Sequence, residues 1–509
     1  MIFNATKFFY LSILLPFFVL CYYLSRPDPS ANLPHINSAN FPATSPAVDN
    51  WDTQVIASGL DIPWEIVWGP DNKIWVNEQR GVVSRIDPTT GTRKVLLQLN
   101  DVWFYRTAGL LAMALHPDIK SKPYVYLNYT LEKEQKRFSR LVRYTWQKDT
   151  LINPKVLMEV AANNGHSGAR IAFSKGKLFW ATGDANNNTY AQNFDIPNGK
   201  ILRLNTDGSI PADNPVKGSP VWAMGFRNIQ GMVFSKTGKL YSSEHGDATD
   251  DEVNLVEATK NYGWPSVQGF ANSPKEKEFS ASHSTADPMK AWTPTIGPAG
   301  MTYYSGNISQ WNNSLLLVSL KDKNLRSLKL SADGRKIINE EIVLNNQFGR
   351  LRGICVSPSG DIYVSTSNRD WTRTPGSPHP DDDRIIRIFK SGQVSAITKS
   401  SPVMGTQTTL YEKYCASCHR ADASGLSGVF PPLKGSDLVK NGGLPLIRKI
   451  IKGSTGPVVI AGVKYDAQMP SFAFLKNNEI EDIANYILTL QTDKYPTVDP
   501  QVISKARND

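Results

Sequence analysis

The chain has 509 residues, too many for one ordinary core and enough for two to four domains. Its 40% hydrophobic and 20% charged residues describe a soluble globular protein, and 12 Trp, 36 Gly and 33 Pro favour turns and aromatics over long helices. The formal charge of +10 is dispersed, with no Lys/Arg run longer than two residues, which argues against a nucleic-acid-binding face.

Lys7 precedes an apolar run from Phe8 to Leu24, followed by Arg26 and several prolines. The run is long for a signal-peptide core and slightly short for a membrane span, so residues 1–27 are expected to act as an export signal or as a retained anchor. Cys21 lies within the run, but Leu20 stands where a lipoprotein signal has a small residue. Residues 28–50 are rich in Pro, Ser, Asn and Ala and read as a linker.

From Trp51 to residue 395 one pattern recurs: an apolar strand, a Pro/Gly/Asn turn, and a second apolar strand. Examples start at Trp64, Gly109, Ala169, Gly231, Gly300 and Gly353. Six hairpins at intervals of about 45 to 70 residues predict an all-β six-bladed propeller, with paired β-sandwiches as the alternative. In such a fold the polar clusters beside the strands should gather at one mouth. Gly165-His166-Ser167-Gly168 places an imidazole among small residues, where it has room to act as a general base. Arg227-Asn228-Ile229-Gln230 precedes another strand and reads equally as a blade-capping network. Glu244 to Glu252 is an acidic loop of hard oxygen donors suited to Ca²⁺, or an exposed turn. Alternation puts Arg350 and Arg352 on one strand face, and with Lys321 they could clamp a polycarboxylate.

A linker over residues 396–405 leads to a second module, residues 406–495, built around Cys415-Ala416-Ser417-Cys418-His419. C-x-x-C-H is the attachment signature of a c-type haem: two thiols bind the porphyrin and the His ligates iron. No Cys follows Cys418 and no His follows His419, so a four-ligand zinc site cannot be completed locally. Met469 is the one Met after the motif and the candidate for the second axial ligand; a Met between helices otherwise fills core. Ile480, Ile483, Ala484, Ile487 and Leu488 predict an amphipathic helix from Glu479 to Leu490. With Phe430-Pro431-Pro432-Leu433, this small all-α module resembles class I cytochromes c, in which a Pro carbonyl orients the ligating His. Covalent haem argues for assembly outside the cytoplasm, in the periplasm or on a membrane facing it.

Together the propeller motifs resemble the soluble, pyrroloquinoline-quinone (PQQ)-dependent glucose and aldose dehydrogenases of the glucose/sorbosone dehydrogenase family. The resemblance rests on Gly109-Leu110-Leu111, His166, Arg227-Asn228-x-Gln230-Gly231, Glu244 to Glu252, Asn261-Tyr262-Gly263-Trp264-Pro265, Lys321 and Arg350-x-Arg352. It implies that His166 takes the proton of a sugar hydroxyl, with Arg227 beside the quinone and Asn228 near the substrate. It implies that Lys321, Thr295, Arg350 and Arg352 bind the cofactor, and that carbonyls of Gly246 and Asp247 ligate its Ca²⁺. Glu252 and Tyr262 match a second, structural Ca²⁺ site. Gly165 replaces an Asp of the glucose enzyme, Thr107 a Gln and Asp247 a Pro; Trp292 is displaced from the family's cofactor-flanking aromatics. The expectation is a sugar or small-hydroxyl dehydrogenase using PQQ, Ca²⁺ and haem c, whose electrons leave to a periplasmic acceptor. Its rivals are a binding propeller without cofactor and a Ca²⁺-dependent lactonase.

Overall fold

The computed structural model describes residues 49–392, with 373–377 and 380 left out. It also describes 410–508, with 420–422, 426–429, 441–442, 466–468, 490–497 and four single positions left out. The expected export segment with Cys21, most of the first linker and the linker at 396–405 lie outside the described residues. Among the described residues, no helix is long and apolar enough to cross a membrane.

Residues 51–390 form six antiparallel four-stranded sheets. Their innermost strands are Pro63–Trp68, Leu110–Leu115, Gly168–Ser174, Ile229–Phe234, Pro298–Tyr304 and Leu351–Val356, and each contacts the next until the sixth meets the first. This is the expected six-bladed propeller. Five blades use four consecutive strands. In the sixth, Trp51–Ala57 pairs with Ile385–Lys390, Trp51 opposite Lys390, so the start of the domain closes its end. Closure leaves only short strand edges exposed to outside pairing.

The apolar runs follow from burial on both faces of a strand. In Ser314–Ser319, Leu316 and Val318 join a core with Leu351 and Ile354 of the sixth blade. Leu315 and Leu317, pointing the other way, join Tyr241 and Val253 of the fourth. A half-exposed strand would have alternated with polar residues; this one faces a blade on each side.

The C-terminal module contains helices Leu410–Tyr414, Ala416–His419, Asp437–Lys440, Gly443–Lys452, Asn477–Thr489 and Pro500–Asn508. The five apolar residues expected on one face of the penultimate helix are all buried in a common core. The expected end at residue 495 needs correction. Val498, Ile503 and Ala506 bury in that same core, so Pro500–Asn508 belongs to the module.

Candidate active site and haem cleft

Register explains why dispersed residues meet. Each innermost strand enters at one mouth, and its antiparallel neighbour leaves beside that entry: Gly168 opposite Thr182, Ile229 opposite Glu244, Pro298 opposite Ser319, Leu351 opposite Thr366. Residues just before a first strand therefore face residues just after a second. His166 meets Asp184, Arg227 meets Asp247, Thr295 meets Lys321, and Arg350 meets Asp370.

A cavity of about 420 Å³ opens at this mouth. It is lined by Thr107, Gly165, His166, Arg227, Asn228, Gly246, Asp247, Thr295 and Lys321, all singled out in the sequence, by His245 of the acidic loop, and by Arg106 and Trp371, which were not. His166 Nδ1 lies 2.8 Å from Asp184 Oδ1, and Trp264 Nε1 donates to Asp184 Oδ2 at 2.8 Å. Asp184 is fully buried, whereas the His166 side chain is 22% exposed. The carboxylate accepts a hydrogen bond from Nδ1–H, which leaves the Nε2 lone pair as the basic site. His166 adopts φ 51°, a left-handed backbone that costs a non-Gly residue energy and is held by the loop around it. Of the flanking glycines, Gly165 lines the cavity beside His166, whereas Gly168 serves close backbone packing. A Cβ at Gly168 would press on the Thr182–Gly183 backbone, and one at Gly183 would collide with the His166 carbonyl. They let two backbone segments touch.

Asn228 Oδ1 accepts from Gly168 N at 3.1 Å and from Gln230 Nε2 at 3.0 Å, which leaves its Nδ2 as the free donor at the cavity. Arg227 donates to Asp247 at 2.9 Å and lies 5.2 Å from the Trp264 ring centroid. Its Nε is buried without an acceptor, a donor set that fits an anionic ligand. Lys321 Nζ donates to Thr295 Oγ1 at 2.6 Å on the cavity wall.

Arg350 and Arg352 do share a face, but they are not a free clamp, and neither lines the cavity. Both guanidiniums turn to the buried carboxylate of Asp370, at 3.2 Å from Arg350, and Arg352 also stacks 3.6 Å from the Trp64 ring centroid. Two buried cations need a counter-charge, and Asp370 supplies one. Trp292 is likewise turned away, donating to Glu340 at 3.1 Å, and the exposed aromatic at the mouth is Trp371.

Gly246 N donates to Asp251 Oδ1 at 2.9 Å, and Asp251 Oδ2 accepts from Ile296 N and Gly297 N. That carboxylate ties the acidic loop to the neighbouring blade. A side chain at Gly246 would collide with the Thr249 carbonyl. Gly246 and Asp247 line the cavity, and backbone carbonyls are the hard oxygen ligands that Ca²⁺ takes. Beside it, a void of about 10 Å³ is bordered by Glu244, Glu252 and Tyr262. Burial first, then neighbouring carboxylates, push Glu244 and Glu252 well above the usual glutamate range. A buried carboxylate pair with Asn254 Oδ1 lacking a donor is a set that a cation would satisfy. The Tyr262 hydroxyl donates to Leu255 O at 2.6 Å and accepts from Glu257 N, so only its carbonyl is available to such an ion.

The C-terminal module holds a different kind of site. Cys415, Cys418, His419 and Met469 line one cleft of about 280 Å³ with Tyr414, Phe430, Leu446, Ile450, Phe472 and Ile487. His419 Nδ1 pairs with the Pro431 carbonyl at 2.7 Å. Burial disfavours the imidazolium, and a carbonyl can only accept, so Nδ1 donates and the Nε2 lone pair is left for a ligand. Met469 exchanges backbone hydrogen bonds with Ser454, which fixes it at the cleft. Two thiols, a neutral imidazole and a thioether in an apolar wall fit haem c.

Sequence reading missed Asp184, Asp370 and Trp371. The signal for the first two was register: each lies a few residues past the second strand of a blade, opposite a singled-out residue before the first.

Comparisons with known proteins agree with this architecture. The Glucose / Sorbosone dehydrogenase family model matches residues 60–372, and the Cytochrome c model matches 408–491. Aldose sugar dehydrogenase YliI of Escherichia coli is 31% identical, over 66% of this chain and 94% of its own length. Quinoprotein glucose dehydrogenase B of Acinetobacter calcoaceticus is 29% identical, over 67% of this chain and 90% of its own. The PQQ-bound form of an aldose sugar dehydrogenase from Streptomyces coelicolor superposes with TM-score 0.59 at 27% identity, covering 67% of this chain and 98% of that one. The chain thus belongs to the glucose/sorbosone dehydrogenase family and carries a cytochrome c domain at its C-terminal end.

Proposed function

We propose that this chain is an exported quinohaemoprotein that oxidises a CH–OH group of an aldose or related compound and passes the electrons to its own haem. The reading rests on one observation above all: a His held by a buried Asp faces a cation-lined cavity in the same chain as a His/Met-lined apolar cleft. The names of the relatives, a quinoprotein glucose dehydrogenase and aldose sugar dehydrogenases, support the same chemistry. When bound, PQQ supplies a two-electron acceptor, Ca²⁺ a Lewis acid, and haem c a one-electron carrier.

The chain's own residues divide the remaining work. His166 Nε2 takes the proton of the substrate hydroxyl, and Asp184 stabilises the imidazolium that results. Asn228 Nδ2 and Arg227 offer donors that orient the substrate and the cofactor. Lys321 and Thr295 offer a cation and a hydroxyl for a carboxylate, with Gly246 and Asp247 as carbonyl ligands for Ca²⁺. His419 and Met469 would hold the haem iron, a ligand pair that suits electron transfer. A cytochrome, an oxidase or a quinone pool of the periplasm would serve as the outside one-electron acceptor, and the N-terminal run exports or anchors the chain. The purified chain, supplied with PQQ and Ca²⁺, should bind one PQQ and reduce an artificial dye in the presence of an aldose. Saturating PQQ binding without dye reduction by any aldose tested would contradict this function.

A further inference from the structure

Two short segments of the propeller touch both sites. In Phe104-Tyr105-Arg106-Thr107, Phe104 stacks on Phe430 of the haem cleft with centroids 5.9 Å apart, while Arg106 and Thr107 line the cavity two and three residues on. In Arg369-Asp370-Trp371, Arg369 lies 5.2 Å from the centroid of Tyr414, which also borders the haem cleft. Asp370 holds Arg350 and Arg352, and Trp371 lines the cavity with Arg106 stacked 5.4 Å from its centroid.

A third residue locks the contact. Arg80 lies 4.0 Å from the Phe104 centroid and 5.9 Å from that of Phe430, and Asp61 holds its Nε at 2.7 Å. The Cys418 side chain lies close enough to the Arg80 guanidinium to act on it electrostatically. In the haem-bearing protein the Cys418 sulfur is a thioether attached to the porphyrin edge, still a weak acceptor. The propeller thus offers two guanidiniums to two aromatic rings of the cytochrome, a directional pairing of cation and ring face.

We propose that Arg80, Phe104 and Arg369 form a built-in docking face that seats the cytochrome, thioether side inward, against the rim of the sugar-oxidising cavity. The face serves as the electron bridge between the two sites. This rests on the function proposed above. Each CH–OH oxidised releases two electrons and two protons, one proton going to His166 and the other to solvent. One haem takes one electron, so two ferric-to-ferrous reductions follow each turnover, with an outside one-electron acceptor oxidising the haem between them. Rings in contact replace a water gap, and a fixed contact makes transfer independent of diffusion.

The test uses the full chain carrying haem, with Arg80→Ala and Phe104→Leu singly and together. Without quinone, hydrogen exchange reads the contact directly. Protection at Trp103–Thr107 and at Phe430–Leu433 should fall together in the double variant, while the haem spectrum and potential stay unchanged. With PQQ, Ca²⁺ and an aldose, haem reduction should slow at least about tenfold, whereas dye reduction stays within about twofold. Unchanged exchange at both segments, or unchanged haem reduction, overturns the docking face. If the unaltered chain reduces no dye with any aldose, the proposed function fails, and the exchange experiment alone decides the docking.

Discussion

The two sites of this chain are built on opposite principles. The propeller mouth is polar, with Arg227, Lys321, Asp184, Asp247 and Asp251 held in hydrogen-bonded pairs at strand ends. The haem cleft is walled by aliphatic and aromatic side chains, and its one buried imidazole is tied to a carbonyl. The difference teaches a division of labour. Moving a proton needs groups whose charge changes and partners that tolerate the change, which a polar, networked site provides. Moving an electron through haem needs fixed ligands, low polarity and little rearrangement.

Removing the base should break the polar side alone. His166→Ala is expected to lower dye-linked sugar oxidation by about 10²–10⁴-fold with PQQ binding and the haem spectrum unchanged. Near-normal turnover would remove His166 from the chemistry. Met469→Ala should break the other side alone, leaving haem attached and dye-linked oxidation intact while lowering the haem potential and admitting an added ligand to iron. An unchanged potential with no new ligand binding would take Met469 off the iron.

A smaller effect separates binding from catalysis. Lys321→Ala, on the exposed cavity wall, should weaken PQQ binding by about tenfold and spare turnover at saturating cofactor. Equal affinity by equilibrium titration would show that the Lys321–Thr295 pair is not a cofactor contact.

The smallest expected effect is on stability. Burial, and after it neighbouring carboxylates, keep protons on Glu244 and Glu252 above the usual glutamate range, so the native chain without Ca²⁺ binds more protons than the unfolded one. Stability therefore falls as pH rises through that window, and a cation that replaces those protons removes the slope. In calorimetry, chelation should lower Tm more at about pH 8 than at about pH 5. Equal losses at both would place the Ca²⁺ effect elsewhere.

Legibility in the sequence follows the same divide. The cytochrome c module was readable because Cys415, Cys418 and His419 sit on one turn of chain, and the helix after them because its apolar period is local. The propeller was readable as a recurring hairpin. Its site was not readable from any one stretch, because His166 meets Asp184 across 18 residues and Arg350 meets Asp370 across 20. Only the resemblance tied such pieces together. It still left out the carboxylates that orient the base and neutralise the arginines. Strand register supplies those, and register depends on where each bulge falls, as between Gly168 and Arg170.

In the proposed function, sugar oxidation and haem reduction are one intramolecular event. Stopped-flow mixing of an aldose with protein loaded with PQQ, Ca²⁺ and haem tests it directly, over a wide range of protein concentration. A first-order haem reduction whose rate constant does not change with protein concentration, and which keeps pace with turnover, is the predicted result. A rate that rises in proportion to protein concentration would mean that electrons pass between molecules, and would contradict the account.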